Sequence, residues 1–378
     1  MINKLRNRLL LALSLCLIMM PALLLSKDSY DDTIEIELIT IGAGEYYWEA
    51  FGHSAIRIKG VNFDLMYGFG YFDFAEEDFF LKFAKGEMDY FLGVQDTEIE
   101  LNDYISQNRK IWRQKLLLPQ TQKQDLINTL NYLARPENRY YHYDYFLSNC
   151  TSIIRDLLDK VTNGDISNQL KGLHTSNSWN DLTFPVKNQS WMNLGIAMVY
   201  GIPAYLDRDK WQLSIFPIDF SHDLKQIETS EGWNKPYLLF SQPSEEQQKK
   251  YGYDFIKTHY AVLLIVFLLL TAIGLKFSRK PTVYFYLILQ SLIGVALLML
   301  WFMTRHTIAA WNINLLLFSP LSFVLLFNKL RKMFGLNFYL MFNVVWLITA
   351  SIMTNLYLLG FFILNIVVWK YFKYSDQS

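Results

Sequence analysis

The sequence predicts an α+β domain followed by an all-α membrane domain of about five transmembrane helices. Three observations carry this reading. Residues 27 to about 257 hold most of the charge and switch between alternating and helical apolar patterns. Residues 258 to 373 are almost continuously apolar, the composition of helices solvated by lipid. A basic and then apolar leader opens the chain and directs the downstream domain to export.

The leader places Lys4, Arg6 and Arg8 before the apolar run Leu9 to Leu25. Leu24 and Ser26 do not make a small-x-small cleavage pattern, so residues 1–26 read either as a signal peptide or as an N-terminal membrane anchor. Leu15 stands before Cys16 where a lipoprotein signal needs a small residue, which excludes that signal. The 35 basic and 35 acidic side chains cancel. With no basic stripe, that balance argues against a nucleic-acid partner. Residues 27–250 form the expected extracytoplasmic domain, Ser244 to Lys250 its charged linker, and residues 258–373 the membrane domain.

Ile34 to Ile39 alternates and predicts a strand, broken by Gly42-Ala43-Gly44. From His53 the chain alternates again, with Ser54, Ile56 and Ile58 on one face and His53, Ala55 and Arg57 on the other. Lys59 to Asn62 reads as a hairpin turn into a second strand through Phe63 to Tyr67. A short helix near Asp78–Phe83, a strand near Tyr90–Val94, and a helix and strand across residues 99–117 come next. Thr121 to Leu133 is an amphipathic helix with Thr121 as its expected cap. Residues 162–190 are polar, either a lid or a plain surface loop. Trp191 to Tyr200 predicts a short apolar helix.

Five apolar segments then run near 258–276, 282–303, 309–327, 336–353 and 355–371. Cationic stretches at Lys276–Lys280, Lys329–Lys332 and Lys370–Lys373 fall on alternate sides. The positive-inside rule makes those loops cytoplasmic, so the charged domain and the loop at Thr304-Arg305-His306 lie outside.

Chemistry concentrates at Ser148-Asn149-Cys150-Thr151-Ser152, where an aromatic run from Tyr140 to Phe146 gives way to a helix. Asn149 is a good N-cap, because its side chain accepts a hydrogen bond from a free first-turn amide. Cys150 then sits in the first turn, where the helix dipole favours a thiolate. The chain has two cysteines, and Cys16 is in the leader, so the exported domain has a single thiol. Such a thiol is either deeply buried or used. His53 opens a strand beside Gly52, where a histidine is either structural, solvent-facing or the base of a nucleophile, and His142, eight residues before Cys150, is a second histidine to weigh. His53, His142 and Cys150 lack ligand-pair spacing, so neither a metal nor another cofactor is expected.

Phe51-Gly52-His53-Ser54-Ala55-Ile56-Arg57-Ile58, taken with Asn149-Cys150-Thr151-Ser152-Ile153-Ile154-Arg155-Asp156, resembles the Lnb family of lipoprotein N-acyltransferases. Asp64 to Phe74 resembles that family's next segment, departing from it at Gly68-Phe69, where the family pattern is Asn-Tyr. The resemblance covers roughly residues 30 to 220 and the layout of the membrane half. It implies a circularly permuted papain-like domain, in the manner of NlpC-type and lecithin–retinol acyltransferase proteins, with the histidine strand before the cysteine helix. It also implies Cys150 as nucleophile, His53 as base, and a third polar group orienting the histidine, with Asp64 the candidate and Asp73 the runner-up. Asn149 and Thr151 would support the nucleophile and the oxyanion. The implied partners are diacylglyceryl-modified lipoproteins and the lipid bilayer, and the implied reaction moves an acyl chain onto the lipoprotein's terminal amine. The aromatic run with Arg139 either meets the membrane interface or packs behind the cysteine. Two other classes stay open: a membrane-anchored papain-like hydrolase of cell-wall peptide or amide bonds, and a non-catalytic envelope binding protein. Five spans exceed what an anchor needs.

Overall fold

The computed structural model describes residues 34–73, 75–173, 179, 190–228, 237–240, 271, 273–274, 276–334, 336–353 and 358–375. The leader, the linker and most of the apolar segment near 258–276 lie outside the described residues, as does the second half of the 162–190 loop.

Seven strands form one antiparallel sheet: β1 (Glu35–Ile41), β2 (His53–Lys59), β3 (Asp64–Tyr71), β4 (Asp89–Asp96), β5 (Ile111–Lys115), β6 (Tyr140–His142) and β7 (Tyr237–Phe240). Their spatial order is β6-β4-β3-β2-β1-β5-β7. The chain is α+β, as the alternation predicts. Successive side chains of a strand leave opposite faces, and here each face has its own helical cover. Ile36, Leu38, Ile56, Ile58, Tyr67 and Phe69 pack on one side against residues of four later helices. Ile39, Ile41, Ala55 and Met66 pack on the other side against Leu101 and Tyr104. Each fully buried aliphatic of this kind contributes about 1.5–3 kcal/mol.

Helices α1 (Phe79–Lys85) and α2 (Thr97–Ser106) follow β3 and β4, and α3 (Gln120–Leu133) follows β5. Thr121 is not the cap of α3: Pro119 takes that place, with no side-chain bond, and Thr121 lies in the first turn. A proline is suited there because the missing N–H would have gone unpaired in any case. Then come α4 (Cys150–Val161), α5 (Asp165–Leu170), α6 (Ser190–Val199), α7 (Lys210–Leu213) and α8 (Pro217–Leu224). Ile154 and Leu158 of α4, both fully buried, fasten that helix to the β2–β3 face.

The C-terminal part is mostly helical. Among the described residues α9 (Arg279–Met303) is the one helix long and apolar enough to cross a bilayer. The expected third span, 309–327, is not a continuous helix. It breaks into α10 (Asn314–Leu317) and a 3-10 stretch, Pro320–Leu326. Pro320 lacks the N–H that an uninterrupted helix would use. Buried side chains make the break tolerable: Gln290 Nε2 and Asn365 Nδ2 both donate to the Leu317 carbonyl, at 2.5 and 3.0 Å. Asn365 also donates to Asn343 Oδ1 at 2.6 Å and accepts from the Tyr286 hydroxyl at 2.7 Å. Irregular backbone in an apolar setting persists only where neighbouring groups satisfy it in this way. Next are α11 (Asn328–Phe334), α12 (Leu336–Ile352) and α13 (Leu359–Ser375); α12 and α13 have 17 residues each, near the lower limit for a span.

The two parts touch through the segment after α9. The Arg305 amide donates to the Lys85 carbonyl at 2.8 Å, and the Gly201 amide to the Ile308 carbonyl at 2.8 Å. Asn314 Nδ2 donates to Ala197 O at 2.7 Å, and the Thr307 hydroxyl to Asp144 Oδ2 at 3.2 Å. The last contact reaches the loop that leads directly into α4.

Asn365→Leu removes a donor from two acceptors and an acceptor from Tyr286. It should destabilise the helical part by about 1–3 kcal/mol, read as a lower melting temperature in detergent, with a milder effect from Thr349→Val at a half-buried position of α12.

Candidate active site

The start of α4 is held by more bonds than any ordinary helix needs. Asn149 Oδ1 accepts from the Thr151 and Ser152 amides at 2.9 and 2.7 Å, and Ser152 Oγ accepts from the Asn149 amide at 2.8 Å. This reciprocal pair is a capping box. Asn149 Nδ2 donates to the carbonyls of Tyr145 and Ile215 at 3.0 and 3.2 Å. Both of its amide protons are engaged, so Asn149 fixes the turn and has no donor left for an oxyanion.

Cys150 is the first residue of α4, as the sequence predicts. Burial pushes its thiol up from the usual range, and backbone amides of Ser54, Thr151 and Cys150 pull against that rise. Hydrogen bonds to a charged form favour it. The Thr151 hydroxyl lies 3.7 Å from Sγ and 3.0 Å from Ser54 Oγ, so Thr151 ties the helix start to β2. Ser54 is the residue after His53, which sets the thiol beside the start of the histidine strand.

His53 opens β2 after Gly52, whose φ of +80° and approach to the Ile41 carbonyl leave no room for a side chain. Its Nε2 stands 3.3 Å from where a Cβ on Gly68 would lie, and the Cys150 Cβ stands 3.6 Å from the same point on Gly70. The two side chains therefore lie over positions of β3 two residues apart, about 7 Å along the strand. Gly70, at φ +104°, falls where the β3–β4 register shifts. That bulge brings β3 close under the cysteine. Burial, and then the charge of Arg109, lower the imidazole to about 3. His53 is thus a neutral imidazole at pH 7, and burial likewise keeps the Cys150 thiol protonated.

Asp64 has no part in orienting His53. It pairs in register with Lys59 at the far end of β2, and Arg57 grips it through Nε at 2.7 Å and through a second nitrogen. Arg57 also binds Glu37 at 2.7 Å, so Asp64 belongs to a charge cluster about 20 Å from His53 along the strand. Asp73 is exposed and accepts from the Ala75 amide of its own turn. His142 is exposed on β6, 3.3 Å from Asp89, and away from the thiol. The aromatic run divides: Tyr140 is exposed, whereas the Tyr141 and Tyr145 hydroxyls are buried. Arg139 lies over the rings of Phe91 and Tyr140.

Four residues that the sequence did not single out surround His53. Tyr71 and Tyr104 each place a ring 6.3 Å from the imidazole. Both of their hydroxyls donate to Glu100, which is 5% exposed. Arg109 is buried over the Tyr104 ring, with Nε donating to Gly42 O at 3.0 Å and a longer contact to Glu49. The available signal was Glu100 and Tyr104 four apart on one helix, a spacing that puts an acid and a phenol on the same face. Among the described residues no three His, Cys, Asp or Glu side chains are grouped to hold a metal ion.

Residues 27–183 match the family described as the Lnb N-terminal periplasmic domain. That stretch is similar to the Lnb N-terminal periplasmic domain. The matched stretch runs from before β1 to beyond α5 and includes both His53 and Cys150. Comparison with curated proteins and with solved structures gives no match.

The depressed imidazole gives a testable sign. An unfolded histidine titrates near 6.5, so His53 contributes stability that is complete above pH 6.5 and is lost as pH falls toward 3. His53→Gln should reduce the stability loss between pH 6.5 and pH 4 by about 3 kcal/mol, measured by denaturant unfolding at the two pH values.

Proposed function

We propose that this chain is a lipoprotein N-acyltransferase of the cytoplasmic membrane, working through a thioester on Cys150. The carrying observation is that the domain's single thiol and a neutral histidine lie over β3 positions two residues apart, within the stretch that matches the Lnb domain. The substrate is a diacylglyceryl-modified lipoprotein in the outer leaflet. His53 takes the Cys150 proton as sulfur attacks an ester carbonyl of the glyceryl lipid. The backbone amides of Ser54, Cys150 and Thr151, which favour the thiolate, are the candidate donors to the tetrahedral oxyanion. The intermediate collapses to a thioester, and His53 returns the proton to the departing glyceryl oxygen. The lipoprotein's terminal amine then attacks the thioester, giving an N-acyl, lyso-glyceryl product and the free thiol. No cofactor enters these steps.

The sheet with α4 reads as a circularly permuted papain-like unit, since the histidine strand precedes the cysteine helix. Residues 27–250 then lie outside the membrane and 258–373 within it, after a leader at 1–26. Two features support the multi-pass topology. Lys276, Arg279 and Lys280 lie at the end of α9 opposite the end that meets the domain, and Lys329, Arg331, Lys332, Lys370 and Lys373 flank the later helices. The segment after α9, bonded to Lys85, Asp144 and Gly201, is what would hold the active site at the lipid surface. A substrate that cannot leave the bilayer needs such an arrangement, which a hydrolase of soluble cell-wall fragments would not.

In a host lacking its own N-acylation, this chain should convert a reporter lipoprotein's N-terminal peptide to the N-acyl lyso form, read by mass spectrometry. Cys150→Ala should abolish the conversion, and His53→Ala should lower it by about 100-fold or more. A free terminal amine with the unaltered chain stably expressed in the membrane would sink this reading.

A further inference from the structure

Two buried polar atoms near His53 lack partners, and they are complementary. One is His53 Nε2 and the other is Glu100 Oε2. An unpaired buried group of either kind costs roughly 1–3 kcal/mol, so two in one cluster call for a role. Between them lies Tyr71. Its ring rests on a floor made by Gly68 and Gly93, which pair in register across β3 and β4. A Cβ on Gly93 would come within 2.7 Å of that ring, and one on Gly68 within 2.8 Å. The point above Gly68 is 3.2 Å from the Tyr71 hydroxyl and 3.3 Å from His53 Nε2, so the two atoms flank one spot. The Tyr71 hydroxyl in turn donates to Glu100 Oε1. Gly68 itself offers the imidazole no side chain.

We propose that Glu100, acting through the Tyr71 hydroxyl, is the positioning residue for His53. The Glu100–Tyr71 pair keeps the imidazole proton on Nε2 and turns that atom toward the carboxylate. The other ring nitrogen is left as the acceptor for the Cys150 proton. When the proton crosses, the new imidazolium has a buried anion nearby to offset its charge, whereas Arg109 opposes that charge. The titratable and charged groups acting around this centre are Tyr71, Tyr104, Glu100, Arg109 with Glu49, and Cys150, with Asp103 acting on Glu100. The inference rests on the Cys150–His53 pair proposed above, but it is tested without acyl transfer.

The experiment measures carbamidomethylation of Cys150 by iodoacetamide in the full chain in detergent, quantified on the Cys150 peptide by mass spectrometry at pH 7 and pH 10. Glu100→Gln and Tyr71→Phe should each slow alkylation about ten-fold at pH 7, the effect of roughly one unit in the base. Both should return to within about two-fold of the unaltered chain at pH 10, where hydroxide removes the thiol proton without a base. Glu98→Gln, exposed on the same helix, should stay within about two-fold at both values. Glu100→Gln and Tyr71→Phe reacting at the unaltered rate at pH 7 while His53→Ala is slow would overturn the positioning role and leave the pair standing. His53→Ala reacting at the unaltered rate would overturn the pair and the inference with it. A deficit that persists at pH 10 would assign both residues to packing alone and also overturn the inference.

Discussion

The bonds of Asn149 set the geometry on which the rest of the site depends. One side chain closes the first turn of α4 and anchors it to two carbonyls, of Tyr145 in the preceding loop and Ile215 before α8. Cys150 comes directly after it and has no freedom to choose another orientation. The sheet then supplies the other side. Thr151 binds Ser54, the Ser54 amide meets the thiol, and the bulge at Gly70 lets β3 pass close beneath. Each contact is modest alone, yet together they fix a sulfur atom beside a histidine strand.

Burial around this point acts on both members of the pair in the same sense, against charge. The thiol is pushed up and the imidazole down, so both rest uncharged. A resting ion pair would demand solvation that the surrounding Tyr71, Tyr104 and Tyr141 do not give. In the proposed reaction a neutral pair would separate charge only as the thiol attacks, with backbone amides on one side and the buried Glu100 on the other already in place. Preorganisation of that kind costs no rearrangement at the moment of reaction. The loop carrying Asp144 joins this centre to the segment after α9, so the helical part bears directly on the residues that hold the cysteine.

The parts of the fold governed by local pattern were legible in the sequence. Alternation from His53 gave β2 and its two faces, and Asn149 before an apolar period gave the start of α4. What escaped was set by distance in the chain. Asp64 sits on the next strand of the hairpin, which by sequence brings it near the histidine strand. A hairpin, however, places the residue just after the turn opposite the end of the first strand, and Arg57 was waiting there. Glu100 and Tyr71 are 29 residues apart and meet only because β3 and β4 pair and α2 packs across them. The third apolar segment looked like a span by composition. Its break at Pro320 is stabilised by Gln290 and Asn365, contributed from other helices that no local window includes.

The acyl-enzyme itself offers the most direct test. The full chain would be mixed with diacylglyceryl lipopeptide whose terminal amine is blocked by acetylation, and its Cys150 peptide weighed. The account predicts one acyl chain on Cys150, released by neutral hydroxylamine, with the lyso-glyceryl peptide as co-product. N-acylation of the unblocked lipopeptide at full rate by a chain that never carries acyl on Cys150 would contradict it.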